Sequence, residues 1–124
     1  MRKTDLDRAL DRCGSMSPEV REIGRQALDS LFRTGITAAG VELAHIVLSE
    51  NFECSLSKAD AVRLLVEDLR QTGSALAFLN LYHHAGDHIS DDAMLELLTL
   101  AAPNCTEAVE ILEARLPGWR HPLT

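Results

Sequence analysis

The sequence predicts an all-α fold, and three observations support this prediction. No segment alternates apolar and polar residues with the period of two that is typical of a strand. Glycines, which can end a helix in the left-handed conformation, follow helical stretches at Gly14, Gly35, Gly73 and Gly86. Short polar residues that favour helix N-caps stand before apolar stretches of helical period at Ser17, Thr37, Ser57, Ser74, Ser90 and Asn104.

The first two helices are amphipathic to different degrees. Residues 5–13 contain few apolar side chains, so we expect the N-terminal segment 1–16 to form a peripheral helix. The second helix begins after Ser17 with Pro18 in its first turn, where the missing N–H costs no hydrogen bond. Asp29 is expected on its solvent face, together with its arginines and glutamates. The residues expected to face the core are Val20, Ile23, Ala27, Leu28, Leu31 and Phe32.

The third helix is predicted over residues 38–49 and is apolar on nearly every side. A helix without a polar face is normally buried, so we expect it at the centre of the fold. The fourth helix, residues 58–70, begins with a capping box in which Asp60 replaces the usual Glu opposite Ser57.

Three more helices complete the predicted fold, over residues 75–84, 91–102 and 105–116, and Pro103 separates the last two. Residues 117–124 are expected to form a non-helical tail after Pro117. The connections are short, so neighbouring helices are expected to pack antiparallel. The sequence thus predicts one compact domain, residues 1–124, with six or seven short helices around the helix at 38–49.

Composition excludes several classes of protein. Of the 124 residues, 46% are hydrophobic and 25% are charged, which is typical of a globular domain. The longest apolar stretches, such as residues 97–102, are far shorter than the roughly 20 residues of a membrane span. The charged N-terminus has no apolar segment of a secretory signal behind it. Three cysteines without regular spacing favour reduced thiols and a cytoplasmic location.

The net charge of −7 is unevenly distributed, since residues 60–124 contain ten acidic and only four basic side chains. An acidic chain repels phosphate backbones, so we expect no direct binding of nucleic acid. An acidic surface attracts a basic protein surface and accelerates the encounter with it. The alternative is that the charge only keeps the domain in solution.

The candidate partner-binding residues fall into two acidic groups and the tail. The first acidic group consists of Asp87, Asp91, Asp92 and Glu96. The second acidic group consists of Glu107, Glu110 and Glu113. In the tail, Trp119 and Arg120 belong to the residue types that dominate interface hot spots, although Trp119 could instead cover the core.

Two segments have spacings that suggest metal binding. His84, Asp87 and His88, next to His83, provide imidazole and carboxylate ligands suited to a transition metal. The alternative is a solvated polar loop. Residues 49–60 place oxygen-bearing side chains at the spacing of an EF-hand calcium loop, but Cys54 replaces its invariant glycine. Helix capping by Ser57 is the simpler interpretation of that segment.

No nucleophile lies in a catalytic signature, and no glycine-rich phosphate loop is present. We therefore expect a non-enzymatic, cofactor-free protein that binds another protein, as an inhibitor, immunity protein, antitoxin or adaptor. The use of ten Arg but two Lys suggests a bacterial, phage or mobile-element origin. The alternatives are a metal- or ligand-responsive regulator that uses residues 83–88, and a structural homodimer.

Overall fold

A computed structural model describes residues 4–116, and this part of the chain contains seven α-helices and no strand. The prediction of an all-α fold is confirmed. The predicted tail at 117–124 lies outside the described residues. The helices are α1 (Asp5–Cys13), α2 (Pro18–Arg33), α3 (Thr37–Glu50), α4 (Lys58–Thr72), α5 (Ala75–His84), α6 (Asp91–Ala101) and α7 (Thr106–Arg115). Two short 3-10 turns, Gly86–His88 and Ala102–Asn104, precede and follow α6.

The chain divides into two compact units, Met1–Ala61 and Val62–Thr124, with the boundary inside α4. The first unit contains α1 to α3 and the first turn of α4, and the second unit contains the remainder. The single domain and the central position of α3 in it stay predictions.

Four of the predicted N-caps are confirmed, and each serine accepts a hydrogen bond from the N–H three residues later. Ser17 caps α2, Ser57 caps α4, Ser74 caps α5 and Ser90 caps α6, at N···O distances of 3.2–3.4 Å. Each bond satisfies a donor that has no partner within the helix. Local sequence was therefore sufficient to predict these helix starts.

Two predicted N-caps are wrong. Thr37 lies inside α3, because Ile36 occupies the cap position without a side-chain hydrogen bond. Cys105 occupies the cap position of α7, while the Asn104 side-chain amide donates to the carbonyl of Gly73 at 3.1 Å. The Asn104 side chain thus makes a contact distant in sequence, and α7 begins one residue later than the local pattern predicted.

The four predicted glycine stops, Gly14, Gly35, Gly73 and Gly86, all lie within two residues of a helix end, but only two of them adopt the left-handed conformation. Gly35 and Gly73 have φ of 99° and 68°, in the region that favours glycine. Gly14 ends α1 with φ of −85°, and Gly86 has no positive φ, so neither uses that freedom. Asn51, at the end of α3, adopts the left-handed conformation instead, with φ of 54°.

In the first unit, α1 packs closely against α2 at Gly24. A Cβ atom at Gly24 would lie 2.6 Å from the backbone nitrogen of Cys13 and 2.8 Å from the carbonyl oxygen of Ala9. Only a glycine lets the two helix backbones approach this closely. The close approach requires Gly24 to face α1. This fixes the rotation of α2 about its own axis and therefore decides which of its side chains are buried.

Because of this rotation, two of the predictions for α2 are wrong. Ile23, expected in the core, is 54% exposed. Asp29, expected on the solvent face, is buried with 6% of its surface exposed. The buried face of α2 therefore runs through Gly24, Leu28 and Asp29, one residue further along the helix than the apolar stripe in the sequence suggested.

α3 packs against α2 and buries one continuous face. Its other side carries the exposed Glu42 and the half-buried Val41 and Ile46, so the helix is less enclosed than its composition suggested. The buried residues of α3 are Ala39, Gly40, Leu43, Ala44, Val47 and Leu48.

In the second unit, α6 packs against both α5 and α7. Phe78 of α5 is fully buried, and α6 contributes the largest set of buried side chains, at the helical spacing that the sequence showed. The buried residues of α6 and α7 are Met94, Leu97, Leu98, Ala101, Ala108 and Leu112. Along residues 4–116, every helix is too short or too polar to cross a membrane.

We predict that Gly24→Ala lowers the free energy of unfolding by about 1–3 kcal/mol, because the added methyl group forces α1 and α2 apart. Urea denaturation measures the change. Gly14→Ala is the matched control: a Cβ there would meet no atom closer than 3.6 Å, so we expect a change within about 0.5 kcal/mol. Equal effects at the two glycines would contradict the close helix approach.

We predict that Phe78→Ala costs about 3–5 kcal/mol, since removing a fully buried ring leaves a cavity in the second unit. The control is Leu76→Ala on the same helix, where the side chain is 60% exposed and the expected loss is below about 0.5 kcal/mol. Thermal and urea unfolding curves of both variants would test this. A similar loss for both would mean that the buried face of α5 is assigned incorrectly.

Candidate partner-binding surface

The first acidic group lies on the turn before α6 and on its first two turns. Asp87 is in the 3-10 turn, while Asp91 and Asp92 begin α6 directly after the Ser90 cap. Asp92 and Glu96 are one helical turn apart, so they share a face of α6. All four side chains are exposed. The carboxylates at the helix start also interact favourably with its partial positive charge.

The second acidic group lies along α7. Glu107, Glu110 and Glu113 follow each other at three-residue intervals, which places them on one side of the helix. Glu110 and Glu113 are exposed, whereas Glu107 is half-buried. The sequence prediction that these carboxylates face outward is therefore confirmed for Glu110 and Glu113 and only in part for Glu107.

Two carboxylates of the acidic groups have cationic or hydrogen-bonding partners. Glu96 forms an ion pair with Arg70 of α4 at 3.4 Å. Glu107 lies 3.1 Å from the Nε2 atom of His83, a contact that connects the end of α5 with the start of α7. Both contacts are about half-exposed to solvent, so each contributes at most about 1 kcal/mol to stability.

The other five carboxylates, Asp87, Asp91, Asp92, Glu110 and Glu113, have no cationic partner among residues 4–116. Residues 62–116 contain nine acidic and only three basic side chains. Exposed charges of one sign that are not neutralised internally produce a negative potential that extends about one Debye length into the solvent. The second unit therefore presents a negative potential to its surroundings.

The remaining partner-binding candidates, Trp119 and Arg120, lie outside the described residues. They stay predictions.

The histidine segment is split between two elements. His84 is the last residue of α5, while Asp87 and His88 belong to the 3-10 turn, and all three are exposed. His83 contacts Glu107 instead of joining them. Within residues 4–116, no three His, Cys, Asp or Glu side chains are grouped so that they could hold a metal ion.

The segment with calcium-loop spacing uses its hydroxyl groups within the fold. Ser49 donates to the carbonyl of His45, Ser55 donates to the carboxylate of Asp29, and Ser57 caps α4. The capping interpretation of Ser57 is confirmed. The side-chain oxygens of Ser49, Ser55 and Ser57 thus bond to separate partners within the fold rather than converge on one point.

The cysteine thiols are free, with Cys105 buried and Cys13 and Cys54 half-buried. Burial raises the pKa of the Cys13 thiol, and the nearby Arg25 only partly offsets this effect. Burial likewise raises the pKa of the Cys54 thiol. A raised pKa reduces the thiolate fraction at neutral pH, whereas a nucleophilic cysteine needs a lowered one.

One polar cluster was not predicted from the sequence: the buried Asp29 of α2 contacts Ser55 of the α3–α4 connection. Asp29 follows Leu28 and precedes Leu31 and Phe32 of the apolar stripe, so its place beside that stripe was the only local sign of burial. The partner is 26 residues away in sequence and could not be identified from spacing.

Comparison of the chain with protein-family models, with curated proteins and with solved structures finds no match in any of the three.

We predict that Asp91→Asn and Asp92→Asn each destabilise the protein by about 0.3–1 kcal/mol at low ionic strength, because each removes a negative charge from the N-terminal turn of α6. Urea denaturation at low and high salt measures the effect, which should shrink at high salt. Glu110→Gln, in the middle of α7, is the control and should change stability less. A larger loss from Glu110→Gln would contradict this account.

Proposed function

We propose that the protein acts by binding another protein that has a basic surface, and that the two acidic groups on α6 and α7 form the contact. The proposal includes no catalytic step and no cofactor. The observation that carries it is the set of five exposed carboxylates without cationic partners within residues 4–116. Asp91 and Asp92 also stabilise the start of α6, whereas Glu110 and Glu113 form no ion pair within residues 4–116.

Long-range attraction is the physical basis of this proposal. Unpaired carboxylates on one side of a helix steer a basic partner toward the surface and raise the association rate, which then falls as salt is added. Neutralisation of these charges by the partner's Lys or Arg side chains would also orient the complex. An inhibitor or adaptor of this kind needs a preformed charged surface, and helices α6 and α7 hold the carboxylates on a folded scaffold.

The proposal extends to the cytoplasm as the place of action. Cys13, Cys54 and Cys105 are all unpaired thiols, which is typical of proteins in a reducing compartment.

The test is differential capture with charge-matched variants. The wild-type chain and two double variants are used as baits in a lysate of the source organism, and captured proteins are quantified by mass spectrometry. The first variant, Asp91→Lys with Asp92→Lys, reverses two charges of the first acidic group. The control, Glu22→Lys with Glu42→Lys, reverses two exposed charges in the first unit and has the same net charge.

We expect at least one protein to be captured by the wild type and by the control but lost with the α6 variant. With that protein purified, the association rate should fall about tenfold for the α6 variant at low salt, and its salt dependence should flatten. If no captured protein distinguishes the α6 variant from its control, the proposed contact surface is wrong.

A further inference from the structure

Asp29 is the only buried charged side chain among residues 4–116. Its carboxylate accepts a hydrogen bond from the hydroxyl of Ser55, and its other oxygen lies 3.8 Å from the guanidinium of Arg33. Burial of a carboxylate is unfavourable unless hydrogen bonds and opposite charges compensate for lost water. The Ser55 hydroxyl is therefore a specific requirement of this site rather than an incidental surface contact.

Ser55 belongs to the connection between α3 and α4, residues 51–57, which we call the strap. It begins at Asn51, whose left-handed conformation turns the chain away from α3. Leu56 is the only buried side chain of the strap, and its other residues are half-buried or exposed. Segments with so few buried apolar contacts open locally at a lower free energy than the core helices.

Polar contacts to α2 hold the strap in place at two points. Ser55 bonds to Asp29, as described above. The second contact is that of Arg25 with Phe52, whose ring centroid lies 5.8 Å from the guanidinium, and Arg25 also forms an ion pair with Glu50, the last residue of α3 next to the strap. Because both points of attachment are on α2, the strap can separate from that helix only when these contacts break.

The strap also lines an open surface cavity of about 370 Å³ together with Val47 of α3 and Lys58 of α4. Cys54 lines this cavity, and its thiol lies 3.8 Å from the carbonyl oxygen of Leu56. The Cys54 thiol is half-buried. Burial raises its pKa and thereby lowers its reactivity at neutral pH. Opening of the strap would expose Cys54, Val47 and Leu56 together.

We propose that the strap is a conformational device, in which residues 51–57 open as a local unit and the buried carboxylate of Asp29 acts as the latch through Ser55. The inference is independent of the proposed function, because it concerns α2 and the strap and not the acidic groups. It also explains why a charged residue occupies a buried position of α2: the carboxylate provides a directional contact that an apolar side chain could not.

The test uses the reactivity of the native thiols in the full-length chain. Iodoacetamide labelling under native conditions is followed by mass spectrometry, which resolves Cys13, Cys54 and Cys105. Ser55→Ala removes the hydroxyl that bonds to Asp29, and we expect the labelling rate of Cys54 to rise about tenfold or more. The rate of Cys105, which is buried in the second unit, should not change.

Two variants serve as controls. Ser55→Thr keeps a hydroxyl group and should leave the labelling rate of Cys54 within about twofold of the wild type. Ser49→Ala makes the same chemical change at an exposed serine whose hydroxyl donates only to its own helix, and it should not change that rate.

A selective rise at Cys54 in Ser55→Ala, absent from both controls, supports the latch. An unchanged Cys54 rate would overturn it, because the hydroxyl would then contribute nothing to closure. A rise of similar size at Cys13 would show that the first unit opens as a whole, and a rise at all three cysteines would show global unfolding. Either result also overturns the proposal of a local opening unit.

Discussion

The close approach of α1 and α2 at Gly24 is the constraint from which the organisation of the first unit follows. A side chain at this position would overlap the backbone of α1, so the glycine sets the rotation of α2. That rotation exposes Ile23 and buries Leu28 and Asp29. Once Asp29 is buried, it requires a hydrogen-bond donor, and Ser55 of the strap provides it. One small residue thereby determines where a connection more than 25 residues away is attached.

In the second unit, apolar packing forms the interior and most of the charged side chains do not take part in it. Buried apolar side chains of α4 to α7 form its interior, while the carboxylates of the two acidic groups, except the half-buried Glu107, are exposed. Within residues 4–116, Arg70 pairs with Glu96 and His83 with Glu107, at half-exposed sites that contribute little to stability. Within residues 4–116, the other five carboxylates of the acidic groups have no cationic partner, although Asp91 and Asp92 also interact favourably with the N-terminus of α6. These exposed charges are the basis of the proposed contact with a basic partner.

The success of the helix predictions and their errors have separate physical causes. Ser17, Ser57, Ser74 and Ser90 cap helices because their hydroxyls bond to an N–H three residues away, and such an interaction depends on neighbouring residues alone. Asn104 failed as a predicted cap because α7 begins one residue later, with Cys105 at the cap position, while the Asn104 amide donates to the carbonyl of Gly73, 31 residues away. The exposed carboxylates of α6 and α7 were predictable for the same local reason, since helical period separates them from the apolar face.

By itself, the sequence determined the all-α class, the approximate limits of the seven helices, the four serine caps and the exposure of most of the acidic residues. These properties depend on interactions within one or two helical turns, and the spacing of residues along the chain shows directly which side chains interact over that range. Only the tertiary structure decided the rotation of α2, the burial of Asp29, its bond to Ser55 and the attachment of the strap. Each of these depends on how closely two segments approach in space, and the local pattern along the chain contains no measure of that distance.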